Sequence, residues 1–352
     1  MNDSLSLAAA YNDYFKIGAA VSSYTAGVFK DILGQHFNSI TPENELKYSE
    51  TEPEEGRFTF EEADKIFDTA RALGIKVRAH APVWHTQTPD WMYLDGDKPA
   101  APELIYERIE AHTKALCERY NNDVYAWDVV NEAACDKENE LSHIYRDSRY
   151  FGLCGESFIE KAFKAMDKYS PDAQLFYNDY SECIPEKRER IVRIIRTLQD
   201  KGCRIDGMGM QQHHFAAPDY DEIKRSIEVY ASLGLRLHIT ELDVSLMATL
   251  NMGKERLKPG DPGFSDYIKE AMRPTPERLA GINDIYLRLF EIYRSYRDVI
   301  DCVTTWGVAD DFTWLDGFGL GEGIPKVKQF PLLFDTEHSP KPCVAALCEA
   351  VK

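Results

Sequence analysis

Two acids close apolar runs at widely separated points of the chain. The run Trp127-Asp128-Val129-Val130-Asn131-Glu132 ends on Glu132, and His238-Ile239-Thr240-Glu241-Leu242-Asp243 ends on Glu241 and Asp243. A carboxyl pair suits glycoside hydrolysis. One member must be protonated to release the leaving oxygen, and the other ionised to attack or to activate water. Separating two such groups by about two pKa units takes ~2.7 kcal/mol of differential interaction, which burial beside another carboxylate can supply. Strand alternation sets directions: Glu241 and Asp243 point the same way, and so do Gln211 and His213 on the preceding run. On adjacent strands His213 would stand beside both acids. A single Glu at a strand end is more often a surface or capping residue. Here there are two, each flanked by an amide or a second acid. Trp84, Trp306 and Trp314 also fall at or just after run ends, with Tyr177 near the end of another. Indole faces beside paired acids and amides point to stacked sugar rings.

These residues need a scaffold that brings strand ends together. Eight runs read as strands: Phe15–Val21, Asn38–Thr41, Ile75–Trp84, Val124–Glu132, Gln174–Tyr180, Gly207–His214, Arg236–Val244 and Val303–Val308. They are rich in Val, Ile, Phe, Tyr and Trp. Helical patterns lie between them: Glu61–Leu73 (stopped by Gly74), Pro102–Tyr120, Ser157–Tyr169, Pro185–Gln199, Asp219–Leu233 and Pro276–Tyr296. Apolar residues recur there at three- and four-residue intervals. Eight strands alternating with helices predict an α/β fold, a single (β/α)8 TIM barrel spanning 1–352. No Gly-x-Gly-x-x-Gly follows the first run, which disfavours a dinucleotide-binding open sheet. Two long connections, Ser245–Thr275 and Ala309–Glu337, follow strands and should overhang the carboxyl face, where barrel enzymes keep their chemistry.

Composition removes several partners. The 352 residues are 44% hydrophobic and 12% aromatic, enough to build a core. With 59 acids against 41 bases the net charge is −18, so there is no basic footprint for nucleic acid. The densest basic stretch, Lys187-Arg188-Glu189-Arg190 with Arg193 and Arg196, reads as the solvated face of a helix. No run approaches ~20 apolar residues, so no membrane span is expected. Residues Met1–Ala10 lack a basic start and a long apolar segment, and none of the eight cysteines forms a C-x-x-C pair. The expectation is a cytoplasmic protein with reduced thiols.

The ordered set of motifs resembles glycoside hydrolase family 10, the endo-β-1,4-xylanases. The segments that carry the resemblance are Phe15–Ala19, Thr41-Pro42-Glu43-Asn44-Glu45-Leu46-Lys47, Arg78–Pro89, Trp127–Glu132, Gly207–His213, Ile239–Asp243 and Thr305-Trp306-Gly307-Val308. The resemblance implies that Glu132 is the acid/base and Glu241 the nucleophile, with carboxyls ~5–5.5 Å apart for a retaining mechanism. It implies that His213 holds the nucleophile and is oriented by Asp243. Asn131 would bond the 2-hydroxyl of the cleaved sugar, with Gln211 near it. Glu43, Asn44, Lys47, His80, Trp84 and Gln87 would line the glycone subsites, Trp306 and Trp314 would wall the cleft, and Tyr177 and Asn178 would contact the aglycone. No metal or cofactor is implied, and xylan or xylo-oligosaccharide is the expected partner. No carbohydrate-binding module is expected beside the barrel and no signal-peptide pattern opens the sequence, so an intracellular enzyme acting on short imported xylo-oligosaccharides rather than polymeric xylan is the expectation. The chain departs from the family at Tyr48 (often Trp), at Ser181 (commonly Asn) and at Ala81-Pro82 (usually Thr-Leu).

Three alternatives stand beside this reading. Another retaining β-glycosidase of the same superfamily, such as a β-glucanase or β-glucosidase, shares the two acids. A metal-dependent barrel hydrolase could use His80, His85, His213, His214 or His238, although His80 and His85 have opposite parity and the first run contains no His-x-His. A non-catalytic sugar-binding barrel would more often have lost one acid, and both are present.

Overall fold

The computed structural model describes residues 5–136, 144–249, 261, 263, 266, 269–270, 272–317 and 327–352. Parts of the two long connections, at 250–260 and 318–326, therefore lie outside the described residues, as do the first four residues.

Among the described residues, parallel strands β1 (Lys16–Val21), β2 (Ser39–Pro42), β3 (Lys76–Trp84), β4 (Val124–Asn131), β5 (Gln174–Asp179), β6 (Gly207–Met210, resuming at His213–His214), β7 (Arg236–Val244) and β8 (Ile300–Thr305) pair in chain order. β8 pairs with both β7 and β1, for example Leu237 with Ile300 and Ile17 with Val303, so the sheet closes. The helices that follow the strands are α1 (Lys30–His36), α2 (Glu61–Leu73), α3 (Pro102–Tyr120), α4 (Ser157–Tyr169), α5 (Pro185–Asp200), α6 (Tyr220–Ala231), α7 (Pro276–Ser295) and α8 (Pro342–Glu349). This is the (β/α)8 barrel that the alternation predicts.

Local chemistry explains the boundaries. In α2, Ala63, Ile66, Phe67 and Ala70 make one buried stripe, and Glu61, Glu62 and Asp64 favour the positive end of the helix dipole. Gly74 ends α2 at φ 68°, a left-handed conformation that costs a glycine little. Pro begins α3, α5, α7 and α8, where its missing N–H is no loss. Asp219 caps α6 by accepting from Asp221 N and Glu222 N.

The strands are buried on both faces. Trp127 points outward beneath the helices and donates to Ser170 Oγ at 3.0 Å. Inside, Arg78 donates two bonds to Asp128 and one to His238 Nδ1. All three residues are wholly buried. Burial and the cations Arg78, Lys16 and Arg236 push the His238 pKa well below its ordinary value, so it accepts from Arg78 as a neutral ring. Asp128 also meets His80 Nδ1 at 2.8 Å, which ties this interior cluster to the open end of the barrel.

Two expectations need correction here. The eighth strand begins at Ile300, three residues before Val303, because Asp301 is tolerated in it as the ion-pair partner of Arg236 from β7. The basic stretch on α5 is only partly a wet face. Lys187 is buried and reaches Asp136, Asp179 and Ala134 O, while Arg188 is bonded to Glu222 and Ser226. Buried Asp179 draws Lys187 inward and the half-buried Glu222 pairs with Arg188; Arg193 and Arg196 remain exposed. Among the described residues no helix is long and apolar enough to cross a membrane.

Candidate active site

The carboxyl ends of the strands surround a cavity of about 550 Å³. Glu132 and Glu241 both line it, together with Glu43, Asn44, Lys47, His80, Trp84, Asn131, Gln211, His213, Trp306 and Trp314.

Glu241 is buried on β7 and has two fixed partners. His213 Nε2 lies 3.1 Å from Oε2, and Asn178 Nδ2 donates to Oε1 at 2.8 Å. Burial alone would raise its pKa. The His213 bond, the charges of His80 and His213, and the Asn178 bond outweigh it and bring the value down to about 2. Glu241 is therefore a carboxylate throughout the neutral range. His213 shows the reciprocal effect. Burial disfavours its charge, but Asp243, at 3.0 Å from Nδ1, and Glu241 raise the pKa to about 10. Parity on β6 and β7 leads to this contact, and the register pairs Asp243 directly with His213. Trp314 Nε1 donates to Asp243 Oδ2 at 2.8 Å, so the loop after β8 reaches over to fix the far side of the triad.

Glu132 follows β4 with φ 59°, an uncommon conformation for a side chain with a Cβ. Its backbone N–H donates to Asn178 O at 2.8 Å, which holds the turn. Three donors meet its carboxyl: Trp84 Nε1 at 2.9 Å, Gln211 Nε2 at 3.0 Å and Asn131 Nδ2 at 3.2 Å. The two glutamates are joined through amides. Asn131 Oδ1 accepts from Asn178 Nδ2 at 2.9 Å and from Gln211 Nε2 at 3.3 Å, and those donors also serve Glu241 and Glu132 respectively.

At the β2 end, buried Lys47 donates to Asn44 Oδ1 at 3.0 Å and lies 4.4 Å from the Trp84 ring centre. Burial depresses the Lys47 pKa against the pull of Glu241, Glu43, Glu132 and Glu45. Burial raises that of Glu43, helped by Glu45 and Glu241 and opposed by Lys47. Gln87 does not line the cavity; it supports Asn44 through Nε2 at 3.3 Å. Trp306 stands edge-on to both His80 and His213.

Like Gln87, two further sequence-derived residues sit differently. Tyr177 is wholly buried and presents no wall to the cavity; its hydroxyl donates to Asp179 Oδ2 and accepts from Ala134 N. Asn178 is inside the barrel as the amide between Asn131 and Glu241, not on the aglycone side. The reason is alternation: neighbours on one strand cannot both face the cleft. Tyr180, Ser181 and Phe215 also line the cavity, and the sequence reading gives them no binding role. Their signal was position, since each directly follows a strand whose end carries the site.

Such an arrangement can place a carboxylate that is ionised at neutral pH and a second, hydrogen-bonded carboxyl beside one bond, between indole walls. The comparisons agree. The chain is 43% identical over 341 residues to "Endo-1,4-beta-xylanase A" of Caldicellulosiruptor saccharolyticus, covering 96% of this chain and 93% of that one. It is 42% identical over 339 residues to "Endo-1,4-beta-xylanase" of Geobacillus stearothermophilus, covering 96% of each. Among solved structures, xylanase XynB from Paenibacillus barcinonensis, complexed with a conduramine derivative, superposes with a TM-score of 0.86 at 39% identity over 99% of both chains. The profile of glycosyl hydrolase family 10 matches residues 6–350, and this chain belongs to that family.

Proposed function

We propose that the protein is a retaining endo-1,4-β-xylanase. The observation that carries this reading is the contrast across one cavity. Glu241 is held ionised by His213 and Asn178, while Glu132 is fixed by Trp84, Gln211 and Asn131 where a leaving oxygen would sit.

Glu241 attacks the anomeric carbon as the bond to the leaving oxygen breaks and Glu132 delivers its proton to that oxygen. A covalent glycosyl-enzyme results. Glu132, now ionised, takes a proton from water, which attacks the same carbon and frees Glu241. Configuration is retained because the carbon is inverted twice. His213, cationic between Glu241 and Asp243, keeps the nucleophile from protonation and orients it. Asn131 bonds the 2-hydroxyl of the reacting sugar, with Gln211 and His80 beside it. Glu43, Asn44, Lys47 and Trp84 bind the next glycone unit, Trp306 and Trp314 wall the cleft, and Tyr180 and Ser181 meet the aglycone.

Short xylo-oligosaccharides are the proposed substrate and the cytoplasm the proposed compartment. Support comes from eight cysteines held as free thiols, seven of them buried, in a protein with no disulfide among the described residues. An enzyme working among reducing thiols meets imported oligosaccharides rather than polymer. Hydrolysis rates on aryl β-xylobioside and aryl β-cellobioside test the sugar. The xylobioside should turn over faster; faster turnover of the cellobioside would favour a β-glucanase instead. Cell fractionation tests the compartment, with activity expected in the soluble lysate and not in the medium.

A further inference from the structure

Among the described residues four large hydrophobic side chains are exposed, and two of them form a pair outside the cavity. Tyr24 is 66% exposed and Phe312 is 40% exposed, with ring centres 5.6 Å apart and planes at 59°. Val28, one helical turn after Tyr24 in the short helix Ser23–Val28, adds a third exposed apolar group to the same helix face. Solvated aromatic rings in contact leave apolar area in water and mark a surface with a partner.

Their position is set by bonds to the cavity's rim. Tyr24 follows β1, whose last carbonyl, Val21 O, accepts from Glu43 N at 2.9 Å. Ser23 N donates to Glu45 Oε1 at 2.7 Å, and Glu45 Oε2 accepts from Asn44 N. Phe312 lies two residues before Trp314, on the loop that Trp314 pins to Asp243. The pair thus adjoins the segments carrying Glu43, Asn44 and Trp314, which line the cavity.

The geometry points to an accessory sugar-binding platform, in which Tyr24 and Phe312 receive a distal glycone unit of a β-1,4-xylan chain running out of the cavity. This rests on the xylanase reading. A pyranose ring offers an apolar C–H face that stacks on an aromatic ring, and these rings are carried by segments bonded to those of Glu43, Asn44 and Trp314 at the cavity's rim. The tilted planes form an open notch in which the rings themselves supply the contact area. Phe312 is braced from below by buried Phe29 at 5.8 Å, so its half of the notch is fixed without a ligand. A chain too short to leave the cavity cannot use the platform.

The test compares one short and one long substrate. Tyr24→Ala should lower kcat/KM on xylohexaose about tenfold, as for loss of a well-placed aromatic anchor, and leave aryl β-xylobioside within about twofold. Tyr24→Phe should behave as the unsubstituted enzyme on both, because the ring remains. Unchanged xylohexaose kinetics in Tyr24→Ala, or equal losses on both substrates, would overturn the platform while leaving the xylanase reading intact. If the unsubstituted enzyme hydrolyses neither substrate, the reading beneath the platform falls, and the platform with it.

Discussion

Gly209 is where the barrel's packing meets its chemistry. A Cβ at this position would lie 2.2 Å from Asn178 Oδ1 and 3.0 Å from both Asn178 Cγ and Thr240 Cγ2. The approach is backbone to amide, so Gly209→Ala must move the Asn178 side chain by roughly 1 Å to restore ordinary contact. That amide has little freedom. It accepts from Thr240 Oγ1 at 2.8 Å and donates to Asn131 and Glu241 at 2.9 and 2.8 Å. A displacement of that size breaks the bond to the Glu241 carboxylate, and bonds to charged groups contribute ~1.5–3 kcal/mol. At 1.36 kcal/mol per decade the expected loss is about 10- to 150-fold in kcat/KM. Overpacking adds ~1–3 kcal/mol of destabilisation. The assay is steady-state kinetics on aryl β-xylobioside, with urea unfolding of the same sample. A second background separates the causes. Asn178→Ala should lose a comparable amount of activity, and Gly209→Ala added to it should cost little more, because the methyl then has room. Activity of Gly209→Ala within twofold of the unsubstituted enzyme, or fully additive losses in the double variant, would refute the reasoning.

The electrostatics of the triad give a second prediction. Asp243→Asn removes the strongest of the charges holding His213 near 10, and a neutral His213 no longer holds Glu241 down to about 2. The acid limb of kcat/KM for an activated aryl xylobioside should move to higher pH, and an unmoved limb contradicts the assignment. Stability follows the same signs. His213 has a folded pKa above its ordinary 6.5, so its contribution is complete below about 6.5 and is lost as pH rises through about 10. Glu241, depressed below its ordinary 4.5, contributes above that value and loses the contribution as pH falls through about 2. Urea titrations across both ranges check the two windows. Glu132→Ala should largely spare glycosylation by activated aryl glycosides, whose leaving group needs no proton, and abolish turnover of xylotriose; equal losses on the two argue against Glu132 as the acid. Lys187→Met should cost ~3–5 kcal/mol in urea unfolding, because it strands buried Asp179, whereas a solvated lysine would cost under ~0.5 kcal/mol.

Much of this architecture is legible in the sequence because period and position carry it. The ends of α2, α3 and α4 coincide with the residues where their apolar periodicity and caps begin and stop. The His213–Glu241–Asp243 contact follows from the two-residue period of β6 and β7 once those strands are neighbours. What periodicity misses is whatever depends on a partner distant in sequence. Lys187 and Arg188 look like surface charges on the α5 pattern, and only the approach of Asp179 and Glu222 draws them inside. Tyr177 and Asn178 share one expected role in the sequence, although adjacent strand residues face opposite ways. Asn178 points inward to Glu241 and Tyr177 outward to Ala134. Ile300 begins β8 with Asp301, whose charge disguises the strand until Arg236 is seen beside it. The role of Gly209 had no sequence signal, since a glycine's reason lies in what passes close to it.

In the proposed mechanism Glu241 becomes covalently attached to the sugar. An activated aryl 2-deoxy-2-fluoro-β-xylobioside slows both steps but leaves fast, so the glycosyl-enzyme should accumulate. Intact-mass measurement followed by peptide mapping should find one xylobiosyl group per chain, on the peptide containing Glu241 and absent in Glu241→Gln. A xylobiosyl group on any other carboxylate, or products of inverted configuration with no adduct, would contradict the account.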